Sequence, residues 1–201
     1  MVLYDFIEIG TSDFDTIIQN SDDTVYGLSI EPLIYYLDRL PSKQNIKKLN
    51  LAISNYVGEI KIYSLQPDII TLHNLPYWLK GCSSVNNYHP TALAVVNAAN
   101  LSTDVFSVDT VRVIDIETLV KENDITGCKF LKVDTEGHDY IIVNNYIDYC
   151  EKGHMELLPN RLQFECNILT SYENTQNLIN RCTGLGYTAI HHDNQDIVLV
   201  K

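Results

Sequence analysis

The sequence predicts an α/β protein with a single, mostly parallel sheet. Strand-like apolar runs alternate with helix-like segments along most of the 201 residues, a pattern typical of βαβ units with right-handed crossovers. The last two apolar runs, 187–192 and 196–200, are separated only by Asp193-Asn194-Gln195, which indicates a closing antiparallel hairpin. A chain of this length with 45% hydrophobic residues fits one domain spanning residues 1–201.

The first part of the chain is expected to begin with a strand. The predicted strands are residues 2–10, 24–32, 49–54 and 55–63, and the predicted helices are residues 12–21 and 33–41. Ser12 followed three residues later by Asp15 matches a capping box, so the first helix is expected to start there.

Residues 66–110 interrupt this rhythm and are interpreted as a substrate-side insertion or loop. The stretch from Gln66 to Leu93 carries Pro, Asn, Ser and His residues, the only Trp of the chain and no sustained period. Long loops in compact domains are usually functional, and aromatic residues argue against disorder. Tyr77 and Trp78 could stack on a sugar face, so residues 66–92 are the expected acceptor platform.

Regular elements are predicted again after residue 110. Helices are expected over residues 115–124, 138–153 and 171–186, and strands over residues 128–134 and 161–167. In a parallel sheet the carboxyl ends of the strands meet at one edge, where ligands bind. Functional residues are therefore sought at the ends of these strands.

Charge and cysteine content exclude several functions. The formal net charge of −12 argues against binding to the phosphate backbone of nucleic acids and, more weakly, against anionic lipid. No stretch approaches the roughly 18 apolar residues of a membrane span. The five cysteines show no CxxC spacing, which favours reduced thiols in a cytoplasmic protein. The sequence leaves open whether the protein is a monomer or a homodimer.

The first strand ends in Glu8-Ile9-Gly10 and opens a loop that is poor in glycine. A dinucleotide fingerprint needs G-x-G-x-x-G, and only Gly10 of its three glycines is present. Asp13 and Asp15 would repel a pyrophosphate at the following helix, which argues against a nicotinamide-dependent oxidoreductase. The loop suits a cationic nucleoside instead, and Glu31 ends the next strand, where an acid for ribose hydroxyls is expected.

Four segments form an ordered set along the chain: FIEIGTSDFDT, YGLSIEP, LNLAIS with VG, and FLKVDTEGHDY. In this order and spacing they resemble the FkbM family of S-adenosylmethionine-dependent methyltransferases, from Tyr4 to about Asn167. The resemblance implies a Rossmann-like class I methyltransferase fold, with seven strands in the order 3-2-1-4-5-7-6 and helices on both faces. It also implies methyl transfer to a hydroxyl, in many members on a sugar or polyketide.

The same resemblance implies a cofactor site for S-adenosylmethionine. Glu31 would hold the ribose diol, and Asp134 would face the methionine end. Ala52 and Ile53 would flank the adenine. The methionine and ribose part of the cofactor would be lined by Glu8, Gly10, Thr11, Ser12 and Thr16.

One departure from the family pattern motivates an alternative function. The family commonly writes the first loop as D-I-G-A-N-x-G, and Phe14 stands here in place of its last glycine. A side chain at this position could crowd the loop. The alternative is therefore a degenerate, non-catalytic binding module on the same fold.

Methyl transfer to a hydroxyl benefits from a positioned base, which is typically worth about 10²–10⁴ in rate. The predicted catalytic residues are Asp134, His89 and Glu165, the last because a carboxylate within an apolar strand needs a partner. Either Glu136 or Asp139 could serve only to cap the following helix and complement its dipole, and His138 is expected to lie on the surface of that helix. A divalent metal held by Asp134 and Glu165 is not favoured, because the sequence shows no third clear ligand. N-methylation of an amino sugar stays open beside O-methylation.

Overall fold

Strands and helices alternate along the residues that the computed structural model describes, 2–85, 87–193 and 195–201. The strands are β1 Val2–Ile9, β2 Gly27–Ile30, β3 Ile46–Leu49, β4 Ala52–Ile53, β5 Gly58–Ser64, β6 Ser84–Val85, β7 Ser107–Ile114, β8 Ile125–Val133, β9 Arg161–Glu165, β10 Thr188–His192 and β11 Asp196–Val200. The α-helices are α1 Ile17–Asn20, α2 Ile34–Leu37, α3 Pro67–Leu72, α4 Pro90–Ala98, α5 Ile116–Glu122, α6 Asp139–Glu151 and α7 Tyr172–Gly184. Short 3-10 helices cover Tyr77–Gly81, Thr103–Val105 and Met155–Leu157.

The main sheet contains seven strands in the order β10-β11-β9-β8-β1-β2-β3. Counted within this sheet alone, the strands lie in the order 3-2-1-4-5-7-6. The pairs β1–β2, β1–β8, β2–β3 and β8–β9 are parallel, whereas β11 runs antiparallel to both β9 and β10. The predicted α/β fold with a mostly parallel sheet is thus confirmed. The predicted hairpin turn includes Asn194, which lies outside the described residues.

The expectation of a single sheet is wrong, because four further strands form a smaller sheet in the order β4-β7-β5-β6. The predicted third strand, 49–54, is divided into β3 and β4 at Asn50. The Asn50 side chain donates to the carbonyl oxygens of Glu31 at 3.1 Å and Pro32 at 2.8 Å. Beyond this point the chain leaves β2, and Ala52 and Ile53 pair with the end of β7 instead.

Helices cover both faces of the main sheet. Phe6 of β1 packs in a cluster with Ile18 of α1 and Leu37 of α2. Ile7 and Ile9 belong to a larger core that also contains buried residues of α5, α6 and α7. Because successive side chains of a strand point to opposite faces, these two clusters lie on opposite sides of the sheet.

The chain divides into two compact units, one formed by residues 1–58 and 112–201 and the other by residues 59–111. The second unit has its own core, which includes Leu65, Ile70, Leu79, Ala92 and Phe106. It is not the irregular loop that the sequence suggested for residues 66–110, because α3 and α4 lie within it.

The prolines that suggested a loop stand at the start of helices. Pro67 and Pro90 are the first residues of α3 and α4. At this position proline costs no hydrogen bond, because the first backbone N–H groups of a helix have no partner within the helix. Within the described residues, no helix combines the length and hydropathy needed to cross a bilayer.

Candidate functional site

The carboxyl ends of the central strands bring the residues of the candidate site together. The Gly10 backbone N–H donates to the Ile30 carbonyl at 2.9 Å, and the Asp134 N–H donates to the Ile9 carbonyl at 2.9 Å. The residues that follow β1, β2 and β8 are therefore immediate neighbours. The strand order reverses between β1 and β8, which is where ligands bind in open α/β sheets.

Gly10 permits this close approach of two strand ends. Its φ of +81° lies in the left-handed region, and a Cβ atom at this position would stand 1.9 Å from the Asp134 carbonyl oxygen. No side chain fits such a gap. The tight turn after β1 therefore requires glycine here.

Glu31 fixes the loop that follows Gly10. Its buried carboxylate accepts from the Ser12 N–H at 2.7 Å and from the Leu33 N–H at 2.9 Å. Burial raises the pKa of Glu31 to about 7, although these hydrogen bonds favour the charged form. The Ser12 hydroxyl oxygen is buried without a hydrogen-bond partner among the described residues, as expected of a group that binds a ligand.

The loop delays the first helix beyond its predicted start. Ser12 and Asp15 have φ values of 49° and 54°, so neither belongs to a helix, and the predicted capping box between them is wrong. Thr16 caps α1 instead, and the Gln19 side chain accepts from the Thr16 N–H at 3.4 Å. Phe14, in the same loop, is 42% exposed.

Lys132 joins three parts of the site. Its ammonium nitrogen lies 3.1 Å from Oε1 of Glu8, 3.7 Å from Oδ2 of Asp134 and 3.4 Å from the Asp15 carbonyl. Glu8 is fully buried and also accepts from the Ile17 N–H, at 3.0 Å, at the start of α1. Burial raises the pKa of Glu8, and Lys132 opposes the rise. Burial would lower the pKa of Lys132, but the two carboxylates overcome this effect and raise it.

Asp139 holds the loop between β8 and α6. The buried carboxylate accepts from the N–H groups of Thr135 and Gly137 at 3.2 and 3.3 Å, and from the Glu165 N–H at 3.4 Å. Burial raises its pKa to about 7, and Asp134 adds to the rise. Glu136 and Gly137 adopt left-handed conformations, with φ of 51° and 94°. Asp139 thereby fixes the ends of β8 and β9 relative to each other.

The carboxyls of Asp134 and Glu165 differ in protonation. Oε2 of Glu165 is buried without a hydrogen-bond partner among the described residues. Burial, and then Glu136 and Asp139, raise the pKa of Glu165 to about 9, so it is neutral at pH 7. Asp134 keeps 42% of its side chain exposed and has Lys132 beside it. Desolvation raises its pKa as well, but less, to about 6. Two carboxyls held in different states suit an acid and a base.

His138 is buried, contrary to the expectation of a surface residue. Its Nε2 lies 2.9 Å from the hydroxyl of Ser54, directly after β4. Burial lowers the pKa of His138, so the imidazole is neutral at pH 7. The pair ties the start of α6 to the end of β4.

A comparison with known families decides the family of this chain. The model of the methyltransferase FkbM domain matches residues 8–187. The chain belongs to the FkbM methyltransferase family. It resembles the crystal structure of methyltransferase FkbM from Methylobacillus flagellatus KT, with a TM-score of 0.52 and 12% sequence identity. The likeness covers 99% of this chain and 44% of that one, so this chain spans less than half of its length, and at this identity the likeness shows the fold alone. Among curated proteins the comparison found no match.

The first unit of this FkbM-family chain brings together most of the residues predicted for a cofactor. Gly10, Ser12 and Glu31 are linked directly, as described above. Thr11 and Thr16 are buried in the same loop. Ala52 and Ile53 are buried in β4, apart from the seven strands of the main sheet. Their roles toward a cofactor remain predictions.

The predicted catalytic residues fall into two groups. In the first unit, Asp134 directly follows β8, and Glu165 is the last residue of β9, the parallel neighbour of β8. His89 belongs to the second unit, where it is buried at the N-terminus of α4 and its Nδ1 accepts from the Thr91 N–H at 3.2 Å. In that unit Tyr77 and Trp78 are exposed, and their role as an acceptor platform stays a prediction.

Lys132 and the Ser54–His138 pair were not predicted from the sequence. A lysine between Leu131 and Val133, inside an otherwise apolar strand, was a signal that could have revealed Lys132, since charged residues are almost never buried unless paired. Ser54 and His138 are 84 positions apart, and nothing in the sequence near either residue indicates the contact.

Proposed function

We propose that this FkbM-family methyltransferase uses S-adenosylmethionine to methylate a hydroxyl group on a sugar, a glycan or a related small acceptor. The observation that carries the proposal is the hydrogen bond between Glu31 and Ser12, beside the turn at Gly10. This site combines a carboxylate suited to ribose hydroxyls with a loop whose acids, Asp13 and Asp15, would repel a dinucleotide pyrophosphate.

The charges around the strand ends support a cationic cofactor. Acidic side chains dominate this edge of the sheet, where Lys132 and Arg39 offset part of the negative charge through ion pairs. Arg39 pairs with Asp13 of the loop at 3.2 Å. A sulfonium and an ammonium group would both be stabilised by the remaining carboxylates.

The residues present fit S-adenosylmethionine. Glu31 has acceptor capacity beyond its backbone hydrogen bonds, because a carboxylate offers about four lone-pair sites. The buried Ser12 hydroxyl is a second group available to the cofactor. When bound, the cofactor supplies the methyl group. Glu8, Gly10, Thr11, Ser12 and Thr16 would line its methionine and ribose part, with Ala52 and Ile53 beside the adenine.

Asp134 is the residue we assign to the acceptor hydroxyl. Its carboxylate is partly exposed and lies next to Lys132, which favours the ionised form. It would accept the hydroxyl proton as the oxygen bonds to the methyl carbon and the carbon–sulfur bond breaks to leave a neutral thioether, while the chain holds the reacting atoms in line. Glu165, neutral at pH 7, would donate a hydrogen bond to the acceptor rather than act as the base.

The cellular setting we infer is the cytoplasm. No disulfide joins cysteines in the part of the chain that the structure describes, although Cys128, Cys150 and Cys182 are buried in one core. Reduced thiols are typical of a reducing compartment.

The proposal is tested by transfer of a labelled methyl group from S-adenosylmethionine to a panel of sugars. Each sugar is paired with its amino-sugar analogue, so that O-methylation and N-methylation are distinguished. We expect label on a hydroxyl acceptor, and a loss of about 10²-fold or more in the Asp134→Asn variant. Cofactor binding without transfer to any acceptor would favour the non-catalytic module instead. Label on amino groups alone would refute O-methylation.

A further inference from the structure

Lys132 is a buried cation shared by two carboxylates. Only 14% of its side chain is exposed, and its ammonium group contacts Glu8, Asp134 and the Asp15 carbonyl. Lys132 and Glu8 are direct partners in the register of the parallel strands β8 and β1. Lys132 and Asp134 are two positions apart in the chain, so both side chains point to the same side of the sheet.

The two carboxylates have different surroundings. Glu8 is fully buried, where it accepts from the Ile17 N–H and pairs with the Lys132 ammonium group. Asp134 reaches solvent, and it is the carboxylate that we assign to the acceptor hydroxyl. A lysine needed only to neutralise Glu8 would not have to reach Asp134 as well.

We propose that Lys132 is a positioning residue that holds the Asp134 carboxylate ionised and in place for methyl transfer. The role of this contact in methyl transfer rests on the proposed function. The contact between Lys132 and Asp134 itself is a property of the free protein. Through Glu8 and Asp15, the same lysine also fixes the loop on which the cofactor is proposed to lie.

The other charged groups around this pair are acidic. They come from every neighbouring element: Glu8 on β1, Asp15 in the first loop, Glu136 after β8, Asp139 on α6, Glu165 on β9 and Asp196 on β11. Of these groups, Glu8, Glu136 and Asp196 disfavour ionisation of Asp134 when they are charged, and Lys132 favours it. Removal of Lys132 is therefore expected to move the titration of Asp134 to higher pH.

The first measurement is the titration of the Asp134 carboxyl by ¹³C NMR, assigned with the Asp134→Asn variant. In Lys132→Met we expect its midpoint to rise by about one pH unit or more, and in Lys132→Arg to stay near the wild-type value. Lys129→Met is the matched control. Lys129 lies on the same strand and pairs with Asp5 at 2.7 Å, but 58% of its side chain is exposed. An unchanged midpoint in Lys132→Met would overturn the proposal.

A second pair of variants separates Asp134 from Glu8. Lys132→Met alone leaves Glu8 buried without its cation, which could unfold the protein. Glu8→Gln removes that charge, so the double variant Glu8→Gln with Lys132→Met has no such defect. The midpoint of Asp134 should be higher in the double variant than in Glu8→Gln alone. Equal midpoints would mean that Lys132 serves only Glu8, and the proposal would fail.

Calorimetry with S-adenosylmethionine and the pH profile of methyl transfer complete the test. In Lys132→Met the acidic limb of the profile should move to higher pH with the titration of Asp134, and Lys132→Arg should restore it. A wild-type protein that binds no S-adenosylmethionine would refute the proposed function, while the NMR titration would still decide the role of Lys132. A shifted titration with an unshifted rate profile would overturn the positioning role.

Discussion

The Glu31 carboxylate accepts a hydrogen bond from the Ser12 backbone N–H at 2.7 Å, so the residue that follows β2 holds the loop that follows β1. The second oxygen of Glu31 accepts from Leu33 at 2.9 Å, which fixes the start of α2. One buried acid therefore sets the backbone of two connections at the edge where the cofactor is proposed to bind. We therefore expect both the shape and the charge of the Glu31 side chain to affect cofactor binding.

Replacing Glu31 by Gln should weaken S-adenosylmethionine binding about tenfold or more. The amide group keeps the shape of the side chain, but its nitrogen cannot accept from Ser12 or Leu33, and the charge is lost. A hydrogen bond to a charged group contributes about 1.5–3 kcal/mol, and 1.4 kcal/mol corresponds to tenfold in Kd. Calorimetry gives the Kd. Glu156→Gln, at an exposed acid, serves as the control and should bind as the wild type does.

Cofactor affinity should fall as the pH is lowered through 7. The pKa of Glu31 is about 7 in the free protein, because burial disfavours its charge. If ribose hydroxyls donate to the carboxylate, binding is strongest above that pH and weakens by up to about tenfold per pH unit below it. Calorimetry between pH 5.5 and 8.5 measures the slope, which should be flatter in Glu31→Gln. A pH-independent Kd in the wild type would contradict a role for the Glu31 charge.

Folding stability should decrease as the pH rises from about 5 to 9. The pKa values of Glu31 and Asp139 are about 7, and that of Glu165 is about 9, all above those of unfolded carboxyls. The folded protein then binds more protons than the unfolded chain, so the free energy of unfolding falls with pH, by up to about 1.4 kcal/mol per unit for each group. The stabilisation is complete below the unfolded pKa and is lost as the pH passes the folded pKa.

Glu165→Gln tests the upper part of this window. Gln cannot ionise, so Glu165→Gln should lose less stability than the wild type between pH 7 and 9. Thermal unfolding at both pH values measures the difference, and about 1 kcal/mol corresponds to 2–4 °C in Tm for a chain of this size. Identical slopes in the two proteins would show that Glu165 is ionised in the folded state at pH 7.

Gly10→Ala should unfold the protein or destabilise it by about 3 kcal/mol or more. The new Cβ would stand 1.9 Å from the Asp134 carbonyl oxygen, in addition to the strain of a left-handed residue. Gly153→Ala is the matched control, because Gly153 also has a positive φ, of +117°, but nothing lies within 4 Å of the added Cβ. It should cost only about 1–2 kcal/mol. Equal losses in the two variants, measured by denaturant unfolding, would show that the approach of Gly10 to Asp134 is not tight.

The strand ends could be predicted from sequence because two simple rules place them. Apolar runs locate the strands, and parallel pairing brings their carboxyl ends to one edge. Glu8, Gly10, Glu31 and Asp134 all meet there in the structure. The start of α1 could not be predicted in this way, since Ser12 and Asp15 adopt left-handed conformations within a loop held by Glu31.

Contacts between distant residues account for the rest of what the sequence did not reveal. Lys132 meets Glu8 across 124 positions, and His138 meets Ser54 across 84. The partner in each contact has no local signal, because it depends on the order of the strands and on which side of the sheet each residue faces. Pro67 and Pro90 led to the wrong prediction of a loop because their local signal is ambiguous. A proline that interrupts a strand can also be the first residue of a helix.

Binding of S-adenosylmethionine to the wild-type protein tests the central claim most directly. Calorimetry at pH 8 should give a Kd in the micromolar range, with no heat from NAD under the same conditions. The acidic loop at Gly10 would then be a site for a cationic nucleoside. Binding of NAD, or no heat from S-adenosylmethionine in a folded sample, would contradict the claim and leave a protein that keeps the FkbM fold without its proposed cofactor.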